Sequence, residues 1–104
     1  MGQTSTIGRT ATTISVDGQK HHRVITVTYH QTQVVEAGPS IIYLRTGGWR
    51  TATTKARMNQ TSNQFGLGFE VYQKNFDWFV RHPDGTVHEF GSTGRNPDAH
   101  VIQR

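Results

Sequence analysis

The sequence predicts an α+β domain: a mostly antiparallel β-sheet with one helix packed on one face. Three observations predict it. Alternating apolar and polar residues recur between residues 12 and 45 and again between 68 and 90, in short runs bounded by Gly, Pro, Asn or Asp. The connections between those runs are brief, which makes successive strands antiparallel neighbours. Between the two groups lies a single stretch with helical spacing. The order is therefore a β-meander, one helix and a second β-meander.

In the first group, Thr12, Ile14 and Val16 alternate with Thr13 and Ser15 before the Asp17-Gly18 turn, giving a short edge strand. Arg23–His30 is the clearest strand, with Ile25, Val27 and Tyr29 on one face. Thr32–Glu36 pairs with it as a hairpin, and Gly38-Pro39-Ser40 turns the chain into a third strand, Ser40–Arg45. The helix follows Thr46-Gly47-Gly48. Thr51 or Thr53 can cap its start, because a threonine hydroxyl accepts a bond from an N–H two or three residues on. It runs from about Ala52 to Gln64 and stops at Gly66, a residue suited to the left-handed cap. Thr54, Met58 and Phe65 make a narrow inward stripe, with Ala52 and Ala56 small enough to lie against the sheet.

Gly68–Gln73 is the fourth strand, Lys74-Asn75 a turn, and Phe76–His82 the fifth. Pro83-Asp84-Gly85 is a strong turn signal, returning Thr86–Phe90 as a sixth strand. Residues 91–104 read as a tail, with a final strand or a partner-docking segment at Val101-Ile102; residues 1–10 are expected to be mobile.

Composition narrows the function. A chain of 104 residues forms one domain, 1–104, with 33% apolar residues and a mean hydropathy of −0.61. So little core material favours a homo-oligomer. With no cysteine, disulfides and thiolate metal sites are excluded and a reducing cytoplasm suits the chain. No apolar run reaches the length of a membrane span or a signal-peptide core, so no membrane partner is expected. Lys and Arg number 11 and Asp and Glu 7, and no acid lies between Glu36 and Glu70. Arg45, Arg50, Lys55 and Arg57 fall in that acid-free interval. The whole net charge of +4 comes from that one segment, since basic and acidic residues balance outside it.

Gly47–Gln60, with Gly-Gly-Trp and then Thr-x-Thr-Thr-Lys-x-Arg-Met-Asn-Gln, resembles a segment of small proteins from tailed bacteriophages. The resemblance extends to Tyr29-His30-x-Thr32 upstream and to Phe65-Gly66, Val71, Gln73-Lys74 and Trp78-Phe79-Val80 downstream. It covers roughly residues 24–81. It implies a phage origin and action in the cytoplasm of an infected bacterium. It transfers no catalytic residue.

The residues themselves point to an anion site at the helix start, where free N–H groups and a partial positive charge gather. Gly47 and Gly48 would admit a ligand to the backbone, and Thr51, Thr53 and Thr54 would offer hydroxyls. Arg50, Lys55 and Arg57 would supply charge, Asn59 and Gln60 would read ligand edges, and Trp49 would stack. Adjacent on a helix, Asn59 and Gln60 cannot both face one ligand. No G-x-x-x-x-G-K-[ST] loop is present, which removes a nucleotide triphosphatase. Tyr29 and His30 are secondary candidates.

The histidines give no diagnostic metal spacing. His82 and His88 flank the Pro-Asp-Gly turn and could be joined by Asp84 or Glu89, yet no metal and no cofactor is expected. The reading is a non-enzymatic phage protein that captures a phosphate-bearing ligand, either single-stranded nucleic acid or a small nucleotide signal. Capture of a signal would make it a counter-defence protein. Its rival is an inhibitor of a host protein acting through a sheet edge or an aromatic hairpin. A hydrolase built on His30 or His82 and His88 has the least behind it, because no nucleophile or carboxylate partner is identifiable.

Overall fold

The computed structural model describes residues 3–6, 12–18, 23–48, 50–94 and 97–104. Trp49, His21 and His22 lie outside the described residues. Five strands precede the helix: β1 (Gln3–Thr6), β2 (Thr12–Asp17), β3 (Val24–Tyr29), β4 (Thr32–Ala37) and β5 (Ile41–Arg45). The helix α1 (Ala52–Phe65) is followed by β6 (Glu70–Lys74), β7 (Asp77–Arg81), β8 (Val87–Glu89) and β9 (Ala99–Gln103). Among the described residues every strand pair is antiparallel. The α+β order of meander, helix and meander is as the alternation predicts.

The strands form two sheets rather than one, in the orders β1-β2-β3-β4-β5-β9 and β6-β7-β8. The tail accounts for the difference. Its Val101-Ile102 pair belongs to β9, which leaves the second meander and pairs with β5, Ile42 opposite Ile102 and Tyr43 opposite Val101. Ile102 is fully buried, so the long return connection is driven by core burial. Gln3–Thr6, at a terminus expected to be mobile, pairs with β2.

The inner face of the larger sheet carries Ile14, Ile25, Val27, Val35, Ala37, Ile42, Leu44 and Ile102, all buried. One irregularity interrupts the alternation. Val27 pairs with Val35 but Thr28 pairs with Gln33, which leaves Val34 as the extra residue of a β-bulge. Val34 and Val35 are therefore both buried, and Val34 turns toward the end of the sheet where α1 begins.

Helix α1 lies between the sheets, touching β3 and β4 on one side and β6 on the other. Thr51 is its N-cap, accepting from the Thr54 backbone N–H at 3.2 Å, and Gly66 closes it at φ 63°. Its buried residues are Thr54, Met58, Thr61 and Ser62. Ala52 and Ala56 are exposed instead of packed on the sheet, since each lies two residues, more than half a turn, from a buried one, Thr54 or Met58.

This buried face is mostly hydroxyl, and each hydroxyl has a use. Thr61 Oγ1 donates to the Arg57 carbonyl at 2.8 Å. Ser62 Oγ accepts from the Phe69 N–H at 3.0 Å and donates to the Phe69 carbonyl at 2.6 Å. Two residues along β6, Asn59 makes the same pair of bonds to Val71, both at 2.8 Å. Phe69 and Val71 present successive outward backbone groups, so Asn59 and Ser62 stand where another strand would be. A helix thereby closes an edge of the smaller sheet.

The turn between β6 and β7 falls one residue later than the sequence suggests. Lys74 pairs with Asp77, leaving Asn75 and Phe76 as the central residues, at φ 52° and 71°. Two left-handed residues mark a type I′ turn, whose favoured pair is Asn-Gly. Phe76 is 91% exposed, so its ring gains nothing from the core while its Cβ strains the backbone. Phe76→Gly should raise the unfolding free energy by about 1 kcal/mol, read as a higher melting temperature. A lower melting temperature would show that the ring holds the hairpin together.

Candidate functional site

A cleft of about 780 Å³ opens where the start of α1 meets the turn of the β3–β4 hairpin. Thr51 and Thr54 line it from the helix, Tyr29, His30, Gln31 and Thr32 from the hairpin, and Val34 and Thr46 complete it. Local rules explain each placement. Tyr29 pairs with Thr32, so His30 and Gln31 form a two-residue turn, with His30 at φ 57°. Its ring lies 4.4 Å from the Tyr29 ring, centroid to centroid. The Val34 bulge places an apolar side chain at the cleft wall. Thr46, buried, is held by Asp98 through a backbone bond of 2.9 Å and a hydroxyl bond of 3.1 Å.

Four threonines, Gln31, two aromatic rings and one valine thus line the wall, without an acidic side chain among them. The first turn of α1 has no acid either. Its leading N–H groups carry the positive end of the helix dipole. Thr51 Oγ1 and Thr54 Oγ1 are 3.1 Å apart, so one hydroxyl orients the other. Such a wall can hold a flat, partly polar molecule and offer hydrogen bonds to an anionic group.

The basic residues of the segment do not gather around this cleft. Arg57 flanks it, its Nε donating to Thr12 Oγ1 at 3.2 Å and its Nη1 to Gln60 Oε1 at 3.0 Å. Thr12 pairs with Tyr29 across β2 and β3, which places this guanidinium beside the hairpin arm. Lys55 and Arg50 turn the other way. Lys55 Nζ lies 5.8 Å above the Trp78 ring, and the Arg50 guanidinium lies 5.4 Å above Phe90 while donating to the Pro97 carbonyl at 2.7 Å. Those two cations cover the buried Trp78–Phe90 pair, whose rings meet edge to face. Two residues on a helix lie about 200° apart, so Lys55 and Arg57 cannot serve one side.

The other expected site residues divide similarly. Asn59 spends its amide on Val71, and Gln60 is exposed and bonded to Arg57. Thr53 is half-buried beside the cap. At Gly47, φ 62°, a Cβ would come within 2.5 Å of Thr32 Oγ1, so this glycine lets the chain approach the hairpin arm. A Cβ on Gly48, φ 85°, would meet open space. Thr32, Gln31, Val34 and Thr46 carry no chemical signature in the sequence. Only the pairing of β3 with β4 brings them to the helix start.

The histidines form a second cluster. His82 and His88 meet across the Pro-Asp-Gly hairpin, ring centroids 4.1 Å apart, as their flanking positions suggest. His100, from β9, joins them with its Nε2 2.9 Å from His82 Nε2. The Gly91 N–H donates to His100 Nδ1 at 2.9 Å, which puts the His100 proton on Nε2 and makes it the donor to His82. Burial, then the neighbouring His82 and His88, hold the His100 pKa down to about 4. Burial and His88 lower that of His82, against a smaller opposing pull from Asp84. Asp84 itself binds Thr86 through both backbone and hydroxyl. Among the described residues, no group of three or more His, Asp or Glu is arranged to hold a metal ion.

Fold and site together define a small α+β protein with one helix laid between two antiparallel sheets and a hydroxyl-lined cleft at its start. The chain belongs to the Kyanoviridae Gp96 protein family, whose model matches residues 2–96. A bacteriophage origin, which the resemblance over residues 24–81 implied, is therefore shown. No curated protein and no solved structure matches the chain. Among the described residues no helix is long and apolar enough to cross a membrane.

Proposed function

We propose that this phage protein captures a small nucleotide in the cleft at the start of α1 and does so without chemistry. The observation that carries the reading is the meeting of three features in one cavity of about 780 Å³: helix-start hydroxyls, a Tyr–His wall and no acidic lining residue. That volume lies within the range of small-molecule sites, roughly 300–1,000 Å³. The phosphate takes the Thr51–Thr54 end, where the helix dipole favours negative charge. The base lies against Tyr29 and His30. Arg57 supplies charge from the flank, and Asn59 acts only by fixing α1 to β6. A compact ligand fits better than single-stranded nucleic acid, because among the described residues Arg50 and Lys55 face away from the cleft. Removal of a nucleotide signal from the bacterial cytoplasm is the counter-defence role such a protein would play.

Thermal denaturation with nucleoside monophosphates and cyclic dinucleotides tests the reading. Ligand at about ten times its Kd should add about 1.4 kcal/mol, several degrees for a domain of this size. The rise should persist in 0.3 M salt, roughly, where binding along an oligonucleotide backbone would weaken steeply. His30→Gly, which also relieves a left-handed residue, and Thr54→Val should each abolish most of the rise. Lys55→Ala should leave it intact. No rise with any nucleotide, or equal rises in wild type and Thr54→Val, would remove this cleft as the site.

A further inference from the structure

We propose that the outer face of the β6-β7-β8 sheet is an interface with a second copy of this chain, arranged about a two-fold axis. That face gathers aromatic and aliphatic side chains among its charges. Tyr72 and Phe79 are opposed across β6 and β7 and stack at 5.7 Å, each partly buried. Val87 is 50% exposed on the neighbouring strand, and Phe76 projects from the hairpin tip, 91% exposed and strained in its turn. Apolar surface and backbone strain gathered at one hairpin suit a contact surface.

The charges around the aromatic pair select the occupant. Toward the tip, Lys74 on β6 opposes Asp77 on β7; toward the base, Glu70 on β6 opposes Arg81 on β7, with a 2.7 Å ion pair. Each strand therefore ends positive at one end and negative at the other, in opposite senses. A pattern of that kind is self-complementary. With the two-fold axis lying across the strands, Lys74 faces the partner's Glu70 and Asp77 faces the partner's Arg81. With the axis along the strands, Lys74 faces the partner's Asp77 and Tyr72 faces the partner's Phe79. Either way unlike charges meet and the aromatic rings stack between copies. In the first arrangement, each Phe76 reaches the base of the opposite sheet, where Val87 lies open. A polyanion is disfavoured here, since Glu70, Asp77 and Glu89 outnumber Lys74 and Arg81 on the same face. The patch measures only about 14 by 17 Å from strand spacing and rise. That is small beside a standard interface of about 800 Å² per partner, so the dimer should be weak and concentration-dependent.

Sedimentation velocity on the full chain, from micromolar to about 0.5 mM, reads the association directly. Wild type should shift from monomer to dimer across that range. Lys74→Glu should raise the dissociation constant at least about tenfold, as should Phe76→Gly, although the latter melts higher. The double exchange Lys74→Glu with Asp77→Lys keeps the pairing within the hairpin and so leaves the fold intact. Its recovery of wild-type association places the axis along the strands, and continued weakness places it across them. A wild type that stays monomeric at the highest concentration overturns the proposal and leaves the face to a different protein. So does a dimer that Lys74→Glu leaves unchanged but Tyr43→Asp, on the outer face of the larger sheet, abolishes.

Discussion

Asn59→Ala should cost about 3 kcal/mol of stability, because it strips both partners from a buried backbone segment at once. Val71 is 1% exposed, and its N–H and carbonyl are each bonded to the Asn59 amide at 2.8 Å. Asn59 is half-buried and lines a cleft with Ser62 and Phe69, so water recovers only part of what the amide supplies. Each abandoned group costs about 1–3 kcal/mol, and the better helix propensity of alanine returns only a few tenths to about 0.7. The melting temperature should fall by more than about 10 °C. Asn59→Asp is the sharper control. It keeps an acceptor for the Val71 N–H but sets a carboxylate against the Val71 carbonyl, so it should also destabilise. Ser62→Ala, which orphans Phe69 in the same way, should resemble Asn59→Ala. A loss below about 0.5 kcal/mol in both would mean that the helix does not seal this sheet edge.

The protein should lose stability as pH falls from about 6.5 toward 4, and His100 should account for most of that loss. In the unfolded chain an imidazole takes up its proton near 6.5; in the fold, burial and the two neighbouring histidines delay uptake at His100 to about 4. Between those values the unfolded chain holds more protons, so acid favours unfolding. The contribution is fully present above about pH 6.5 and is lost progressively down to about pH 4, an order of 3 kcal/mol. His82, lowered chiefly by burial, works in the same direction. Asp84 does not compete in this window, since its lowered pKa starts from 3.8. Geometry gives the same sign. The Gly91 N–H occupies His100 Nδ1 and His100 Nε2–H serves His82, so neither ring can gain a proton without breaking a bond. His100→Gln should flatten the dependence of melting temperature on pH over this range. An unchanged slope in that variant would assign the effect elsewhere.

How much of the candidate site could be read in advance depended on whether its residues are consecutive. The helix start was legible, because capping is a short-range rule: Thr51, Thr54 and Gly66 lie where hydroxyl and glycine preferences put them. Tyr29 and His30, adjacent at a strand end, were legible only as secondary candidates; their ring contact belongs to the fold. Thr32, Val34 and Thr46 were not, because ordinary residues become a cavity wall only through a hairpin, a bulge and a tight glycine approach. Charge counting misled at Arg50 and Lys55. Net charge along a segment says nothing about direction, and on a helix the direction turns by about 100° per residue.

By itself the sequence determined the order of the longer elements, the face each long strand buries and the ends of the helix. These are properties of alternation, turn chemistry and capping, settled within a few residues. Tertiary structure decided that there are two sheets, that Val101 and Ile102 close the larger one, and that Asn59 and Ser62 act as a surrogate strand. It also decided that His100 joins His82 and His88. Each of those joins residues distant along the chain, and the free energy that selects them, burial of apolar surface with every backbone group still bonded, belongs to the whole fold.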